Sequence, residues 1–203
     1  MNIFFLDKNP VVCAQFHNDK HCVKMILEYA QLLSTAHRVV DGQLVGKRWV
    51  LPEPLESTLY KATHMNHPSA IWARSGLRQY NWLYDLFTAC LDEYSHRYGK
   101  VHASDRLRQP LFNAPINITI TDWTDPTPAM PDEYKVAGDS IKSYQNYYIG
   151  SKREMSRWTN REMPIWFERE IYKQYGQLAE VVEMKDRFVT VPSGVVNANL
   201  HAA

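Results

Sequence analysis

A polar stripe rich in proton-transfer groups runs along one predicted helix near the start of the chain. Periodicity predicts this helix over residues 15–38, with apolar residues on its opposite face. At 100° per residue, the members of the stripe lie within about 100° of one another. They are His17, Lys20, His21, Lys24, Glu28, Gln31 and Thr35. The pattern predicts an exposed face that gathers acids, bases and amines in one place.

Each residue type on the stripe suggests a chemical role. His17 and His21 stand one turn apart and could act as general base and acid, because histidine titrates near neutral pH. Lys24 could be a nucleophilic amine if it is desolvated, with Glu28 as a carboxylate on the same face. Two histidines four residues apart can also chelate a metal, but the HExxH spacing is missing and we expect no metal. The alternative is an ordinary solvated face with two incidental histidines.

Basic and aromatic residues elsewhere could hold a nucleic acid. Lysine and arginine contact phosphates, and tryptophan stacks on an unstacked base. His67 precedes Pro68, a position typical of a helix cap, and Arg74 and Arg78 are predicted one turn apart on the following helix. The predicted nucleic-acid contacts are Lys20, His67, Arg74, Arg78, Lys152, Arg153, Arg157, Trp158 and Arg161. For the last five of these, the alternative is a solvated helix end.

Composition limits the classes of function. The chain has 203 residues, 45% of them hydrophobic and 22% charged, and its formal net charge is +1, as in an ordinary globular domain.

Three scattered cysteines predict neither disulfides nor a zinc site and suit a reducing compartment. Residues 1–6 are apolar but too few for a signal peptide or a membrane span. We therefore expect a cytoplasmic protein, in the host cytoplasm if viral, with no membrane partner. Walker, GxGxxG and GxSxG motifs are missing, and we expect no cofactor.

Helical spacing predicts a mainly α, compact single-domain fold with long irregular connections and short strands. The apolar start is predicted to be extended and to lie close to the first helix. A loop over residues 43–54 is expected to include a short strand, and residues 116–121 to be extended within an irregular connection over residues 100–138. The predicted helices cover residues 15–38, a stretch from Pro68 that breaks at Gly76, residues 77–98, residues 139–149, and a last helix that begins at Pro164 and includes Tyr175 and Leu178. We expect one domain over residues 1–192 and a flexible tail over residues 193–203.

The order of these landmarks resembles that of the small pyrimidine-dimer DNA glycosylases of bacteriophages and their bacterial relatives. The similar parts are the apolar start, the helix over residues 15–33, and the His67-Pro68 pair followed by residues 83–99; they cover about half of the chain. The resemblance implies a compact all-helical fold that binds duplex DNA and flips out a base. It also implies that the chain's own terminal amine displaces the base through a Schiff base.

A terminal amine suits this chemistry because, with a pKa near 8, roughly one in ten is neutral at pH 7, against roughly one in 2,500 lysines. Asn2 is bulky and should leave Met1 in place, so the amine would be that of Met1. The family pairs an Arg with an essential Glu on its first helix, whereas the nearest carboxylate here, Glu28, occupies a different position. His17 is the residue that the resemblance transfers, and Lys24 could replace the terminal amine.

Together, these observations predict an enzyme that acts on DNA as a glycosylase or abasic-site lyase, working on a flipped base or an abasic sugar. The predicted partner is duplex DNA with an altered or flipped base. The predicted catalytic residues are Met1, His17, His21, Lys24 and Glu28. One alternative is a transferase or hydrolase acting on a nucleotide or small metabolite, for which the stripe would line a closed pocket. Another is a viral protein that binds a host factor without catalysis.

Overall fold

The computed structural model describes residues 1–173, and their fold is mainly α as predicted. The helices are α1 (Pro10–Phe16), α2 (Asp19–Asp41), α3 (Leu55–Thr58), α4 (Pro68–Ala73), α5 (Leu77–Tyr98) and α6 (Ser140–Ser151), and residues 165–173 are also helical. Short 3₁₀ turns cover Ala103–Leu107, Asp132–Tyr134 and Arg153–Met155. Strands β1 (Gln43–Val45) and β2 (Arg48–Val50) form an antiparallel hairpin.

By contacts within the backbone, the chain divides into one compact unit, Met1–Phe167, and a second, Glu168–Ala203, of which residues 168–173 are described. The domain boundary predicted at residue 192, the tail over residues 193–203, and the later turns of the last helix, with Tyr175 and Leu178, lie outside the described residues. Within residues 1–173, no helix is long and apolar enough to cross a membrane.

The single helix predicted over residues 15–38 is wrong, because two helices meet there. α1 ends at Phe16, and His17 adopts an extended backbone with φ −60° and ψ 129°. Asn18 then caps α2, since its side-chain oxygen accepts a hydrogen bond of 2.9 Å from the backbone N–H of His21. The guanidinium of Arg97 on α5 donates to the carbonyls of Gln15 and His17, each at 2.9 Å. These carbonyls at the end of α1 therefore have partners without a continuous helix.

The central core forms where α5 packs against both α1 and α2. Residues 1–6 lie against this core but form no strand, and the side chains of Ile3, Phe5 and Leu6 are fully buried. The ring of Phe5 meets the edge of Trp82, one of three mutually T-shaped tryptophans. Burying such large apolar residues fixes the first residues of the chain, which in most proteins are loosely held.

α6 continues one residue past Gly150, which the sequence predicted as its end. A side chain at this position would collide with the ring of Tyr134, so the glycine permits a close approach and does not stop the helix. Residues 116–121 also form no strand. Instead, the carboxylate of Asp41 accepts hydrogen bonds of 2.7 and 2.9 Å from the backbone N–H groups of Ile116 and Asn117. This contact attaches the long connection to the end of α2.

Candidate active site

The terminal amine lies beside a carboxylate on α2. The nitrogen of Met1 is 3.8 Å from Oε2 of Glu28, and the side chain of Met1 is only 4% exposed. The backbone N–H of Asn2 donates to the same oxygen at 3.1 Å. The predicted proximity of the chain start to this helix is therefore confirmed, and it brings a specific amine to a specific carboxylate.

The side chain of Asn2 fixes the amine in place. Its Oδ1 accepts a hydrogen bond of 2.6 Å from the hydroxyl of Tyr144 on α6, and its Nδ2 donates to the carbonyl of Ala129 at 3.0 Å. Tyr144 and Ala129 both lie more than a hundred residues after Asn2 in the sequence. A terminus held by three hydrogen bonds and a buried Met1 side chain has lost most of its ordinary freedom, which favours a defined geometry for reaction.

A cavity of about 260 Å³ surrounds this pair of groups. Lys24 places Nζ 3.3 Å from Oε1 of Glu28, although 71% of its side chain remains exposed. Lys152 lies across the cavity, with Nζ 4.6 Å from the centre of the Tyr147 ring. The lining residues are Met1, Asn2, Phe4, His21, Lys24, Met25, Glu28, Tyr147 and Lys152. Two lysines and the terminal amine therefore surround a single carboxylate, which suits an anionic ligand.

His21 borders the cavity but is buried, so its predicted exposure on the stripe is wrong. Its Nδ1 lies 2.6 Å from the hydroxyl of Tyr148, and its ring stacks on Phe4 with 4.0 Å between ring centres. Burial lowers the pKa of His21 to about 3, and His17, Lys152 and Lys24 lower it further in that order. The imidazole is therefore neutral at pH 7. It positions neighbouring groups or accepts a proton only transiently.

His17 is fully buried at the junction between α1 and α2, so its predicted position on an exposed face is wrong. Its Nδ1 lies 2.7 Å from the carbonyl oxygen of Cys13, which can only accept, so this nitrogen carries the proton. Its Nε2 accepts from the hydroxyl of Tyr29 at 2.7 Å. Burial lowers the pKa of His17 to about 4. Both nitrogens are occupied, and the residue stabilises the junction.

Mild acid should destabilise the fold because these histidines are neutral when folded. In the unfolded chain both histidines bind a proton below about pH 6.5. In the folded protein His17 binds one only near pH 4, and His21 only near pH 3. We expect each to remove roughly 2 kcal/mol of unfolding free energy between pH 7 and pH 5. His37, His67 and His102 act in the same direction, since burial lowers their pKa values too. Urea titrations at the two pH values measure the loss, and ring NMR signals that titrate near pH 6.5 in the folded protein would contradict it.

His67 caps α4, and the charge of the terminal amine affects its protonation. Its Nδ1 accepts a hydrogen bond of 3.2 Å from the backbone N–H of Ser69. The pKa of His67 is lowered by burial first and then by the terminal amine and His64, while Glu28 opposes this. The predicted cap is therefore confirmed, and the nucleic-acid contact of His67 stays a prediction.

The predicted nucleic-acid contacts divide into several groups. Trp158 is 9% exposed and donates to the carbonyl of Phe16 at 3.1 Å, so it cannot stack on a base and that prediction is wrong. Arg161 pairs with the carboxylate of Glu93 at 2.8 Å. Lys152 alone of the group over residues 152–161 lines the cavity, while Arg157 is exposed elsewhere and Arg153 lies in a 3₁₀ turn.

Arg74 and Arg78 are not on one helix, because α4 ends at Ala73 and α5 begins at Leu77. The backbone of Arg74 terminates α4, whereas Arg78 is exposed and lies 3.9 Å from Asp122. Lys20 is exposed but does not line the cavity. The structure therefore brings together Met1, Lys24, Glu28 and Lys152 around one cavity, which His21 also lines and His67 does not.

Comparisons of the chain with known protein families, with curated proteins and with solved structures found no match. Any functional conclusion therefore depends on the geometry of the site.

Proposed function

We propose that this chain is a DNA-acting enzyme of the glycosylase or abasic-site lyase type, in which the amine of Met1 is the nucleophile and Glu28 its base. The single observation that carries the proposal is the placement of the terminal nitrogen 3.8 Å from Oε2 of Glu28, inside a basic cavity. Ordering a chain terminus costs conformational entropy, and an adjacent carboxylate gives the amine a base that can accept its proton before attack.

Met1 is preferred over Lys24 as the nucleophile for two reasons. Terminal amines as a class titrate about two units below lysines, so more of them are neutral near pH 7. The side chain of Lys24 is also 71% exposed, whereas the position of the terminal nitrogen is set by the hydrogen bonds of Asn2. Lys24 then contributes positive charge at the edge of the cavity.

The reaction follows from these positions. At an abasic site, the neutral amine adds to C1′ of the open-chain aldehyde, and loss of water leaves an imine. Removal of a proton from C2′ expels the 3′ phosphate, and water then hydrolyses the imine and returns the free amine. On an intact nucleotide the amine would displace the base from C1′. Glu28 can accept the proton of the terminal ammonium before attack and return it to the hydroxyl that leaves as water. Its carboxylate, which lies beside the amine, is then free to accept the C2′ proton.

The cavity suits one extruded sugar with its phosphates. Its volume of about 260 Å³ is below the roughly 300–1,000 Å³ of pockets that enclose whole drug-sized ligands, so a base can remain outside. Lys24 and Lys152 can contact the flanking phosphates, and Phe4 and Tyr147 provide aromatic walls. Extrusion costs a few kcal/mol, which base stacking of about 1–3 kcal/mol per base and the phosphate contacts can offset.

Borohydride trapping tests the proposal. The protein, with Met1 verified by intact mass, is incubated with duplex DNA that carries an abasic site, and adducts are located by peptide mapping. We expect an adduct on the nitrogen of Met1, and we expect it to persist in the control variant Lys24→Arg, which keeps the charge and removes the lysine amine. An adduct on Lys24 would overturn the assignment of the nucleophile. Absence of any adduct would overturn the amine chemistry, and binding of free nucleotides without DNA would favour the small-metabolite enzyme.

A further inference from the structure

Further along α2, the helix face that carries Glu28 is covered by a loop. Thr35 follows Glu28 by seven residues, which returns to nearly the same direction around the helix. Thr35 is buried, and its Oγ1 accepts a hydrogen bond of 3.2 Å from the backbone N–H of Thr63. The loop over residues 61–67 is thereby held against this part of α2.

A small cavity opens between this loop and the β1–β2 hairpin. Its volume is about 80 Å³. We call it the hairpin subsite, and its lining residues are Lys47, Arg48, Trp49, Lys61, Ala62 and Met65. Gly46, with φ +62°, forms the turn that places Lys47 and Arg48 at the tip of the hairpin.

The charges of the hairpin subsite are unbalanced. Lys47 and Arg48 are exposed and form no ion pair within the described residues, and the hairpin over residues 43–50 contains no acidic residue. Glu56 is the nearby carboxylate, but it pairs with both Lys61 and the buried guanidinium of Arg38. An unpaired lysine and arginine beside the half-buried ring of Trp49 complement an anion such as a phosphate.

The spacing between the two sites matches a nucleic-acid strand. Seven residues of helix separate Glu28 from Thr35 by about 10 Å along the axis. A DNA strand advances about 3.4 Å per nucleotide, so this distance corresponds to about three nucleotides. The hairpin subsite lies at this level or slightly beyond it, since Arg38, one turn after Thr35, donates to the carbonyl of Trp49 at 3.1 Å.

We propose that the hairpin subsite binds a backbone phosphate of the substrate DNA about three to five nucleotides from the nucleotide held at the terminal amine. This inference rests on the proposed function, because it takes the amine site as the position of the reacting nucleotide. Lys47 and Arg48 provide the charge, and the hydrogen bond from Arg38 to Trp49 attaches the hairpin to the same helix that carries Glu28. The contact adds affinity and sets register, and it takes no part in the chemical step.

The test compares the double variant Lys47→Gln/Arg48→Gln with the wild type and with the matched control Lys8→Gln/Lys100→Gln, which removes two exposed charges elsewhere. The probe is a fluorescent duplex that carries a tetrahydrofuran abasic analogue, which cannot form an imine. Anisotropy over a series of salt concentrations gives Kd. We expect the hairpin variant to lower the slope of log K against log salt by about 1, as the loss of one phosphate contact predicts, and to bind about 10-fold more weakly at low salt. The control should change neither by as much.

Duplex length makes the spacing testable. When one flank is shortened to two base pairs beyond the analogue, the affinity difference between wild type and hairpin variant should vanish, and shortening the other flank should preserve it. Equal salt slopes in the two proteins, or a difference that survives truncation of either flank, would overturn the inference. Borohydride trapping at saturating abasic DNA should be unchanged in the hairpin variant. If wild type fails to trap while the affinity pattern holds, the proposed chemistry is wrong and the phosphate subsite remains.

Discussion

Replacing Glu28 with Gln should slow strand cleavage at an abasic site by about 10²- to 10⁴-fold, the usual contribution of a general base. Glutamine keeps the shape of the side chain, and its Oε1 can still accept the hydrogen bond that Asn2 donates. It cannot take a proton from the terminal ammonium or from C2′. We expect the affinity for a tetrahydrofuran duplex to change little, because Lys24 and Lys152 remain. Single-turnover cleavage, with enzyme in excess over an abasic duplex, measures the rate of the chemical step.

Two further variants distinguish the loss of the Glu28 base from the general effect of removing a negative charge. Glu162→Gln removes an exposed carboxylate that lines a different cavity, and it should cleave at the wild-type rate. Glu28→Asp keeps a base but withdraws it from the amine, and it should recover part of the rate lost in Glu28→Gln. A wild-type rate in Glu28→Gln, with folding verified by circular dichroism, would mean that the amine needs no carboxylate and that Glu28 only balances charge.

Local patterns predicted those parts of the fold that local physics determines. α5 occupies residues 77–98 as its spacing indicated, and Gly99, with φ +63°, ends it in the left-handed conformation that glycine favours. The start of α4 at Pro68 follows a similar local rule, since proline is favoured in the first turn of a helix. The break at residues 17 and 18 was missed. Asn18 followed by Asp19 is a signal for the start of a helix. The periodicity of the polar stripe, which continues across these two residues, nevertheless predicted one uninterrupted helix.

The candidate site was only partly predictable. Lys24 and Glu28 could be predicted because they lie one turn apart on a single helix, and their contact is confirmed. Tyr144 bonds the side chain of Asn2, and Lys152 lines the cavity, although both lie more than a hundred residues after Asn2 in the sequence. No periodicity encodes such tertiary contacts. His21 was predicted to be exposed because its helix face is polar. That face packs against Phe4 and Tyr148, aromatic residues from both ends of the described chain.

Arg97 should be among the most sensitive positions for stability. Its guanidinium is fully buried and donates to Oε1 of Glu93 at 2.7 Å and to Oδ1 of Asp19 at 3.0 Å. It also donates to the carbonyls of Gln15 and His17 at the end of α1. Replacement by Met keeps much of the volume but leaves those buried acceptors without this donor. We expect the unfolding free energy to fall by about 3–5 kcal/mol, the usual result of removing one partner from a buried charged pair.

Urea unfolding followed by circular dichroism measures this loss, and Arg78→Met is the matched control. The side chain of Arg78 is 61% exposed, and its single recorded ion pair spans 3.9 Å, so its loss should change the free energy by less than about 0.5 kcal/mol. Because Arg97 ties the end of α1 to the start of α2, and α2 carries Glu28, the Arg97→Met variant should also trap less abasic DNA at temperatures where it remains folded. Equal stability of the two variants would mean that water replaces the guanidinium at the junction, and that the cap of Asn18 alone separates the two helices.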